Sequence, residues 1–377
     1  MRHRRLEKAT APLFIMLSGV LASIASAQTV TSFPAPTARV PFRIVAGPDG
    51  NLWFTAGNDF DNLVGRITTA GAITEFTIPG TFVVTAGITT GPDGALWFSE
   101  FGANRIGRIT TAGVLTDFPI PTPNSSPLGI AAGSDGNLWF VEAGGAGFNK
   151  IGRITTTGSV TEFQVPTVSA QAQFIAAGSD GNLWFTESSA NKIGRITTAG
   201  GFTEFSVPTA GAFPYDITGG PDGALWFTEN GANAIGRVTT AGVFSEYPVP
   251  SASSFPNGIA VGPDGALWFT EKNQSEVGRI TTAGVITEFS LAPAPPPNAG
   301  IAAGSDGNLW IAGDHSIVRF NPAAAPTPTA TVPAATPTVT PPVGPGPAQA
   351  VPVLAPGTLA PLAACLAGGA LFLIRRN

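Results

Sequence analysis

Short apolar stretches that alternate with polar residues recur along most of the chain, and turn residues separate them. In one such unit, the pair Asp264-Gly265 predicts a tight hairpin turn, and residues 282–284 predict a second turn. The predicted strands of this unit are 259–261, 266–270, 277–281 and 286–290. The turns and the alternation with a period of two favour four short antiparallel strands over a pair of helices.

All seven tryptophans of the chain occupy the same place in a repeat of this unit. A Gly-(Pro/Ser)-Asp-Gly turn precedes each tryptophan, and a Gly-Arg or Val-Arg pair follows each of them. These residues are Trp53, Trp97, Trp139, Trp184, Trp226, Trp268 and Trp310. Their spacing of 42 to 45 residues predicts an all-β fold, a β-propeller with seven blades of four antiparallel strands.

The two ends of the repeat region predict how the ring closes. The fourth-strand motif that ends in proline is missing after Trp310, whereas an unmatched copy of it stands at residues 30–36. We therefore expect the N-terminal strand to complete blade seven and to hide both sheet edges in one closed domain, residues 28–322. A closed ring of this kind is expected to be monomeric.

The segments outside the repeats have the composition of targeting sequences. Residues 1–27 combine basic residues, an apolar run and a final Ala25-Ser26-Ala27, which predicts a secretory signal peptide. Residues 323–350 are almost wholly Pro, Ala, Thr, Val and Gly, which predicts an extended linker. The tail, residues 351–377, contains an apolar stretch that is followed by two arginines.

The tail begins with Val351-Pro352-Val353-Leu354 and resembles the Ile-Pro-Thr-Leu class of bacterial C-terminal sorting signals. An uncleaved transmembrane anchor is the alternative interpretation, because the apolar stretch of residues 358–374 reaches the lower limit for crossing a bilayer. Both interpretations predict an exported protein at the bacterial cell envelope, with membrane contact only through this tail.

Charge and rare residues exclude several classes of function. Residues 28–322 carry 13 basic and 23 acidic residues, and this net charge near −10 argues against nucleic acid as a partner. One cysteine, Cys365, allows neither a disulfide framework nor a thiolate zinc site. After removal of the signal peptide, His315 is the one histidine, so the chain cannot form a two-histidine metal site.

Residues that recur in every blade are interpreted first as architecture. The aspartates of the Asp-Gly turns are expected to bond the backbone of their own turns. They are Asp49, Asp93, Asp135, Asp180, Asp222, Asp264 and Asp306. The recurring arginines are expected to brace adjacent blades. They are Arg66, Arg108, Arg153, Arg195, Arg237, Arg279 and Arg319.

Five consecutive blades have a glutamate where the second strand ends, and we call these residues the strand-exit glutamates. They are Glu100, Glu142, Glu187, Glu229 and Glu271. They are expected near the ring axis, either accepting hydrogen bonds from the backbone of the next blade or binding a hard cation such as Mg²⁺ or Ca²⁺. Glu229 and Glu271 are the candidate metal ligands, and crowding would raise the pKa of such carboxyls.

The starts of the first strands are expected to form a rim around the axis, together with residues that precede them. Amide, phenol and apolar side chains predominate there, and aromatic ones could stack on a sugar or another planar ligand. The candidate rim residues are Phe42, Gln173, Phe213, Tyr215 and Asn257, with Phe255 beside them.

The repeat Gly-Ile-Ala-Val-Gly-Pro-Asp-Gly-Ala-Leu-Trp-Phe-Thr-Glu at 258–271, followed by Val-Gly-Arg-Ile at 277–280, resembles the streptogramin B lyase (virginiamycin B lyase) family over residues 30–320. The resemblance implies a seven-bladed propeller. It also implies Mg²⁺-dependent opening of cyclic depsipeptides by elimination across an ester C–O bond. That reaction needs a base for the proton α to a carbonyl and a metal for the developing enolate.

The positions carried over from the family keep little of this chemistry. Tyr215 and Asn257 stand where the resemblance implies histidines, and Phe255 stands where it implies an acid. Only the acid at Glu271 is retained. We therefore predict a non-catalytic module that binds a surface glycan, peptide or protein, and no confident cofactor. The alternatives are a carbon–oxygen lyase with rewired residues and bound Mg²⁺, and a structural spacer in a surface layer.

Overall fold

The computed structural model describes residues 29–36, 40–58, 61–144 and 149–322. The predicted signal peptide, linker and C-terminal tail lie outside these ranges. No helix among the described residues is long and apolar enough to cross a membrane. The described chain consists of 28 strands in seven sheets.

The strands are grouped here by blade. Blade one consists of β2 Pro41–Ala46, β3 Leu52–Asn58, β4 Asp61–Ile67 and β5 Ile73–Thr77. Blade two consists of β6 Thr85–Thr90, β7 Leu96–Glu100, β8 Arg105–Ile109 and β9 Leu115–Pro119. Blade three consists of β10 Pro127–Ala132, β11 Leu138–Glu142, β12 Lys150–Ile154 and β13 Val160–Gln164. Blade four consists of β14 Ala172–Ala177, β15 Leu183–Glu187, β16 Lys192–Ile196 and β17 Phe202–Ser206. Blade five consists of β18 Pro214–Gly219, β19 Leu225–Glu229, β20 Ala234–Val238 and β21 Phe244–Pro248. Blade six consists of β22 Pro256–Val261, β23 Leu267–Glu271, β24 Glu276–Ile280 and β25 Ile286–Ser290. Blade seven consists of β26 Pro297–Ala303, β27 Leu309–Gly313 and β28 Ser316–Phe320, and the N-terminal strand β1 Val30–Pro34 is its fourth strand.

The seven-bladed architecture and its closure by the N-terminal strand are confirmed. Every sheet has four strands in antiparallel order, and β1 pairs with β28 from Val30 opposite Phe320 to Pro34 opposite Ser316.

We call the face where each fourth strand crosses to the next blade the crossover face. First strands begin at this face and second strands end at it. The predicted strands of blade six match to within a few residues. The first of them begins earlier than predicted, at Pro256. A β-bulge lies between Pro256 and Ile259, and beyond it Pro256 still pairs with Glu271 of the second strand.

The main cores lie between blades, and each contains one of the repeated tryptophans. Trp226 of blade five packs with Leu267 and Phe269 of blade six, and the other tryptophans are buried in the same way. Each tryptophan also lies 5.3 to 5.7 Å from the aromatic ring of a fourth strand of its own blade. In blade seven that ring is Phe33, so the N-terminal strand supplies the packing partner that the C-terminal strands lack.

The repeated aspartates accept hydrogen bonds from the backbone of their own turns, as expected. Four of the seven repeated arginines donate to the next blade, whereas Arg108, Arg237 and Arg279 pair with the turn aspartate of their own blade at 2.6 to 2.7 Å. In all seven blades the turn aspartate accepts a hydrogen bond from the tryptophan Nε1 at 2.9 to 3.1 Å. Arg195 donates to the Thr240 carbonyl of the next blade at 3.3 Å, and Arg319 closes the ring by donating to the Thr69 carbonyl at 3.0 Å. The repeated residues therefore have structural roles.

We expect Phe33→Ala to lower the free energy of unfolding by about 2 kcal/mol, since a large aromatic side chain leaves the blade-seven core. Deletion of residues 29–36 should cost more and should promote self-association, because it exposes the edge of β28. Chemical denaturation and analytical ultracentrifugation measure the two effects. The matched substitution Phe76→Ala removes the same contact inside blade one. A truncated chain with unchanged stability would contradict the closure.

Candidate functional site

The seven first strands surround a central channel, which forms a cavity of about 490 Å³. The backbones approach each other closely there, and four blades have glycine at the third or fourth residue of the first strand: Gly87, Gly129, Gly258 and Gly300. A Cβ atom on Gly87 would lie 2.4 Å from the Leu128 carbonyl oxygen, and one on Gly129 would lie 2.6 Å from the Phe174 Cα. These contacts leave no room for a side chain at those two positions.

Three blades depart from this glycine, and their side chains meet at the crossover end of the channel. They are Arg43, Phe174 and Asp216, and we call them the mouth cluster. Arg43 Nη1 lies 2.7 Å from Asp216 Oδ2, although the residues belong to blades one and five. The Arg43 guanidinium carbon lies 3.6 Å from the centre of the Phe174 ring. All three side chains are buried, so an ion pair and an aromatic ring span the channel mouth.

Further contacts hold the mouth cluster in place. Asp216 Oδ2 accepts a second hydrogen bond from the Ile259 backbone N–H at 3.0 Å, and Asp216 Oδ1 accepts one from Ile217 N–H. Phe42 and Tyr215 lie beside the Arg43 guanidinium, at 5.3 and 5.9 Å from their ring centres. Arg43 Nε and Nη2 have no hydrogen-bond partner, which leaves the cation dependent on Asp216 and on the rings.

Sequence analysis did not single out Arg43, Phe174 or Asp216. The signal was present, because each is the third residue of its first strand and stands where the other four blades have glycine. What the sequence alone could not supply is that the first and fifth blades face each other across the axis.

The predicted rim residues lie around this mouth on the crossover face. Phe42, Gln173 and Tyr215 are half-buried, Phe213 is 45% exposed, and Asn257 is buried. Tyr215 packs edge-on against Phe174, at 5.2 Å between ring centres. Phe42, Phe174 and Tyr215 therefore come together around Arg43.

The strand-exit glutamates lie off the channel, inside their own blades. The Glu229 carboxylate reaches over Gly236 of β20, where its Oε1 would be 2.5 Å from a Cβ atom, and Glu246 faces it from β21. Glu100, Glu142, Glu187 and Glu271 likewise face an acid of their own fourth strand. Both carboxyl oxygens of Glu142, Glu187, Glu229 and Glu271 lack a hydrogen-bond partner, so the expected bonds to the next blade are not present.

Burial and like charges raise the pKa of these carboxyls. The pKa of Glu187 rises to about 8, first because of burial and then because of Glu204, while Lys192 counteracts the shift. Glu100 and Glu142 have pKa values of about 8 for the same kinds of reason, with Asp117 and Glu162 as their acidic neighbours. A proton on such a carboxyl lets it donate a hydrogen bond to the facing acid, which satisfies an otherwise unpartnered buried group.

The positions carried over from the family resemblance do not form a general base. Burial raises the pKa of the Tyr215 phenol, which therefore keeps its proton at neutral pH. Phe255 has no ionisable group, and the Asn257 amide cannot accept a proton at neutral pH. Burial raises the pKa of Glu271 to about 8, and its carboxyl faces Glu288 and Glu276. His315 is the one histidine among the described residues; it is exposed in the β27–β28 turn beside Asp314.

The two candidate metal ligands belong to different clusters. Glu271 lies with Glu276 and Glu288, and one oxygen of each falls within 4.8 Å of the others. Glu229 is not part of this group and has Glu246 as its acidic neighbour. The family positions Phe255 and Asn257 offer one amide oxygen between them. The family positions Phe255 and Asn257 therefore do not fit the Mg²⁺ ion that the resemblance implies.

The fold and this site define a class: a seven-bladed β-propeller whose axial channel ends in a polar and aromatic mouth. Residues 18–172 and 146–317 match the model of the Virginiamycin B lyase family. The chain belongs to this family. No curated protein matches the chain.

Solved structures agree with this assignment. A streptogramin B lyase structure is 36% identical, with a TM-score of 0.74 over 78% of this chain and 97% of that one. A catalytically inactive virginiamycin B lyase from Staphylococcus aureus with quinupristin is 36% identical, with a TM-score of 0.73 over 78% of this chain and 99% of that one. Hydrazine synthase from Kuenenia stuttgartiensis, at 15% identity, 76% and 96% coverage and a TM-score of 0.61, shares the fold alone.

We expect Asp216→Asn to destabilise the protein by about 3–5 kcal/mol, because it leaves Arg43 buried without a counter-charge. The double variant Arg43→Met, Asp216→Asn should recover much of this loss, since no buried charge is left unpaired. Urea denaturation of the four proteins of this double-mutant cycle measures the coupling. A single variant as stable as the wild type would show that the ion pair does not support the mouth.

We expect the stability of the wild type to fall as pH rises from about 4.5 to about 8. The folded state keeps protons on carboxyls such as Glu187, whereas the unfolded state releases them near the model value of 4.5. Each such group contributes at most about 1.4 kcal/mol per pH unit. Glu187→Gln should therefore show a shallower decline by denaturation at pH 5, 6.5 and 8, and the exposed control Asp314→Asn should keep the wild-type slope. Parallel curves for wild type and Glu187→Gln would contradict the assignment.

Proposed function

We propose that this protein is an exported, envelope-held binding module that uses the crossover face of a lyase-type propeller without performing the lyase reaction. The observation that carries the proposal is the chemistry of the family positions. Tyr215, Asn257 and Phe255 offer no group that can remove a proton near neutral pH. Asp216, the carboxylate of the mouth cluster, is held by the Arg43 guanidinium and by the backbone N–H groups of Ile217 and Ile259.

The mouth cluster supports binding rather than turnover. A ring-opening reaction needs a base and an open position beside the substrate, whereas here an ion pair between Arg43 and Asp216 spans the mouth. Half-buried and exposed aromatic side chains surround that ion pair. Phe42 and Tyr215 lie beside the guanidinium, and Phe213 stands 45% exposed on the preceding crossover.

The same face carries other exposed apolar side chains on its crossovers. Phe82 is 61% exposed and Val168 is 82% exposed, and both lie in segments that lead into first strands, as Phe213 does. Exposed aromatic and apolar groups around a polar centre suit a peptide or peptide-like ligand. The structure of the Staphylococcus aureus enzyme with quinupristin supports the same choice of ligand class for this chain.

The predicted targeting segments support the location. A signal peptide at residues 1–27 exports the chain, the Pro-rich residues 323–350 act as a stalk, and residues 351–377 hold the propeller at the bacterial envelope. A stalk gives the crossover face access to ligands outside the cell.

The test is titration of quinupristin into the full chain by calorimetry, with mass spectrometry of the same samples in millimolar Mg²⁺. We expect saturable binding without ring opening. Phe213→Ala should weaken binding about tenfold, whereas the control Val285→Ser, in a turn on the opposite face, should not. Ring opening would overturn the non-catalytic part of the proposal. No binding, or binding unaffected by Phe213→Ala, would overturn the assignment of ligand and face.

A further inference from the structure

The corner of each blade that holds a strand-exit glutamate has a repeated plan in blades two to six. The glutamate ends the second strand and an acidic residue of the fourth strand faces it, as in Glu187 with Glu204. The first residue of the third strand pairs directly with the glutamate in the sheet register. A residue of the crossover completes the corner; in blade four it is Thr167, whose backbone N–H donates to Glu204 at 3.0 Å.

In three blades, the third-strand residue is a base that lies between the two acids. Lys192 Nζ lies 2.9 Å from Glu204 Oε2, and Lys150 Nζ lies 3.4 Å from Glu162 Oε2. Arg105 Nη2 lies 2.7 Å from Glu100 Oε2 and is also near Asp117. The corner is therefore built around one positive charge in blades two, three and four.

Blade six keeps the plan but reverses the charge at this position. Glu276 pairs with Glu271 in the register, just as Lys192 pairs with Glu187 in blade four. The Glu271, Glu276 and Glu288 carboxylates converge, with one oxygen of each within 4.8 Å of the others. The charged side chains that raise the pKa of Glu271 are both acids, so a third carboxylate stands where blade four has Lys192.

Glu271 is buried and unpartnered like Glu142 and Glu187, but a lysine lies near each of those two, whereas a third acid takes that place beside Glu271. Its side chain is fully buried, it points into the cluster, and neither of its oxygens has a hydrogen-bond partner. The Ser251 hydroxyl lies 3.5 Å from Glu276 Oε2, and the Ser251 backbone N–H donates to Glu288 Oε1 at 2.8 Å. Glu276 and Glu288 are half-buried, so the corner is open to solvent on one side.

We propose that Glu271, Glu276 and Glu288 bind one divalent cation of the Ca²⁺ type, which takes the place that a lysine or arginine side chain occupies in blades two to four. Carboxylate and hydroxyl oxygens are the ligands of hard cations. Two oxygens on opposite sides of a Ca²⁺ ion lie about 4.6–5.2 Å apart, twice the usual bond length. Three oxygens that all lie within 4.8 Å of one another therefore fit inside one coordination shell. Water completes the shell from the open side.

This site shares Glu271 with the positions that the family resemblance implies, but its other two ligands are not among those positions, and it does not depend on the proposed function. It lies inside blade six, away from the mouth cluster, and two of its three ligands come from the third and fourth strands. Blade five provides an internal comparison, because Ala234 stands at the third-strand position between Glu229 and Glu246. With two acids and no third, that corner is not expected to bind the ion.

The test is calorimetric titration of Ca²⁺, and separately of Mg²⁺, into the metal-free full chain, together with thermal unfolding with and without the ion. We expect one Ca²⁺ per chain and a higher melting temperature with Ca²⁺. Glu276→Lys copies the corner of blades three and four. It should lower the affinity at least 100-fold and should make the melting temperature independent of Ca²⁺. Glu276→Gln, a smaller change, should lower the affinity about tenfold.

The matched control is Glu246→Gln in blade five, which should leave the Ca²⁺ titration unchanged. Loss of binding in Glu276→Lys and Glu276→Gln, with binding kept in Glu246→Gln, supports the site, whether Ca²⁺ or Mg²⁺ is the tighter ion. The proposal is overturned if millimolar Ca²⁺ and Mg²⁺ give no saturable binding, or if the Glu276 variants bind like the wild type.

Discussion

Burial of one tryptophan between each pair of neighbouring blades is the interaction on which this structure depends. Each indole packs on the aromatic ring of a fourth strand and donates its Nε1 hydrogen to the turn aspartate of the same blade. The apolar surface of a four-stranded sheet is not covered by the sheet itself, so each blade is stable only beside its neighbours. In blade seven, Phe33 of the N-terminal strand supplies the ring on which Trp310 packs. The channel mouth forms only because this strand closes the ring of blades.

The repeat makes departures from it informative. Where every blade has the same residue, as with the turn aspartates, the contact serves the scaffold. Where one blade has a different residue, the backbone of the repeated strands still fixes the position of the new side chain. Arg43 and Asp216 use the narrow channel to form an ion pair across the ring, and Glu276 uses a corner built for a base to bring three acids together.

The family's fold here carries a channel mouth of polar and aromatic side chains. Tyr215, whose phenol pKa is raised by burial, and Asn257 offer no group that titrates near neutral pH. The buried strand-exit glutamates show how a propeller can keep ionisable groups inside its blades. They lie inside the blades and share protons or bases with a neighbouring strand, since desolvation disfavours an isolated charge.

The sequence alone determined the number of blades, the strand order within each and the closure by residues 30–34, because these follow from the repeat and from local turn and strand patterns. It also predicted that Tyr215, Asn257 and Phe255 depart from the residues that the family resemblance implies. Only the tertiary structure decided which departures meet: Arg43 and Asp216 are 173 residues apart and join because the ring brings blades one and five to opposite walls of one channel. It also placed the strand-exit glutamates inside their blades rather than at the axis, since side-chain direction depends on register, which a residue pattern alone does not specify.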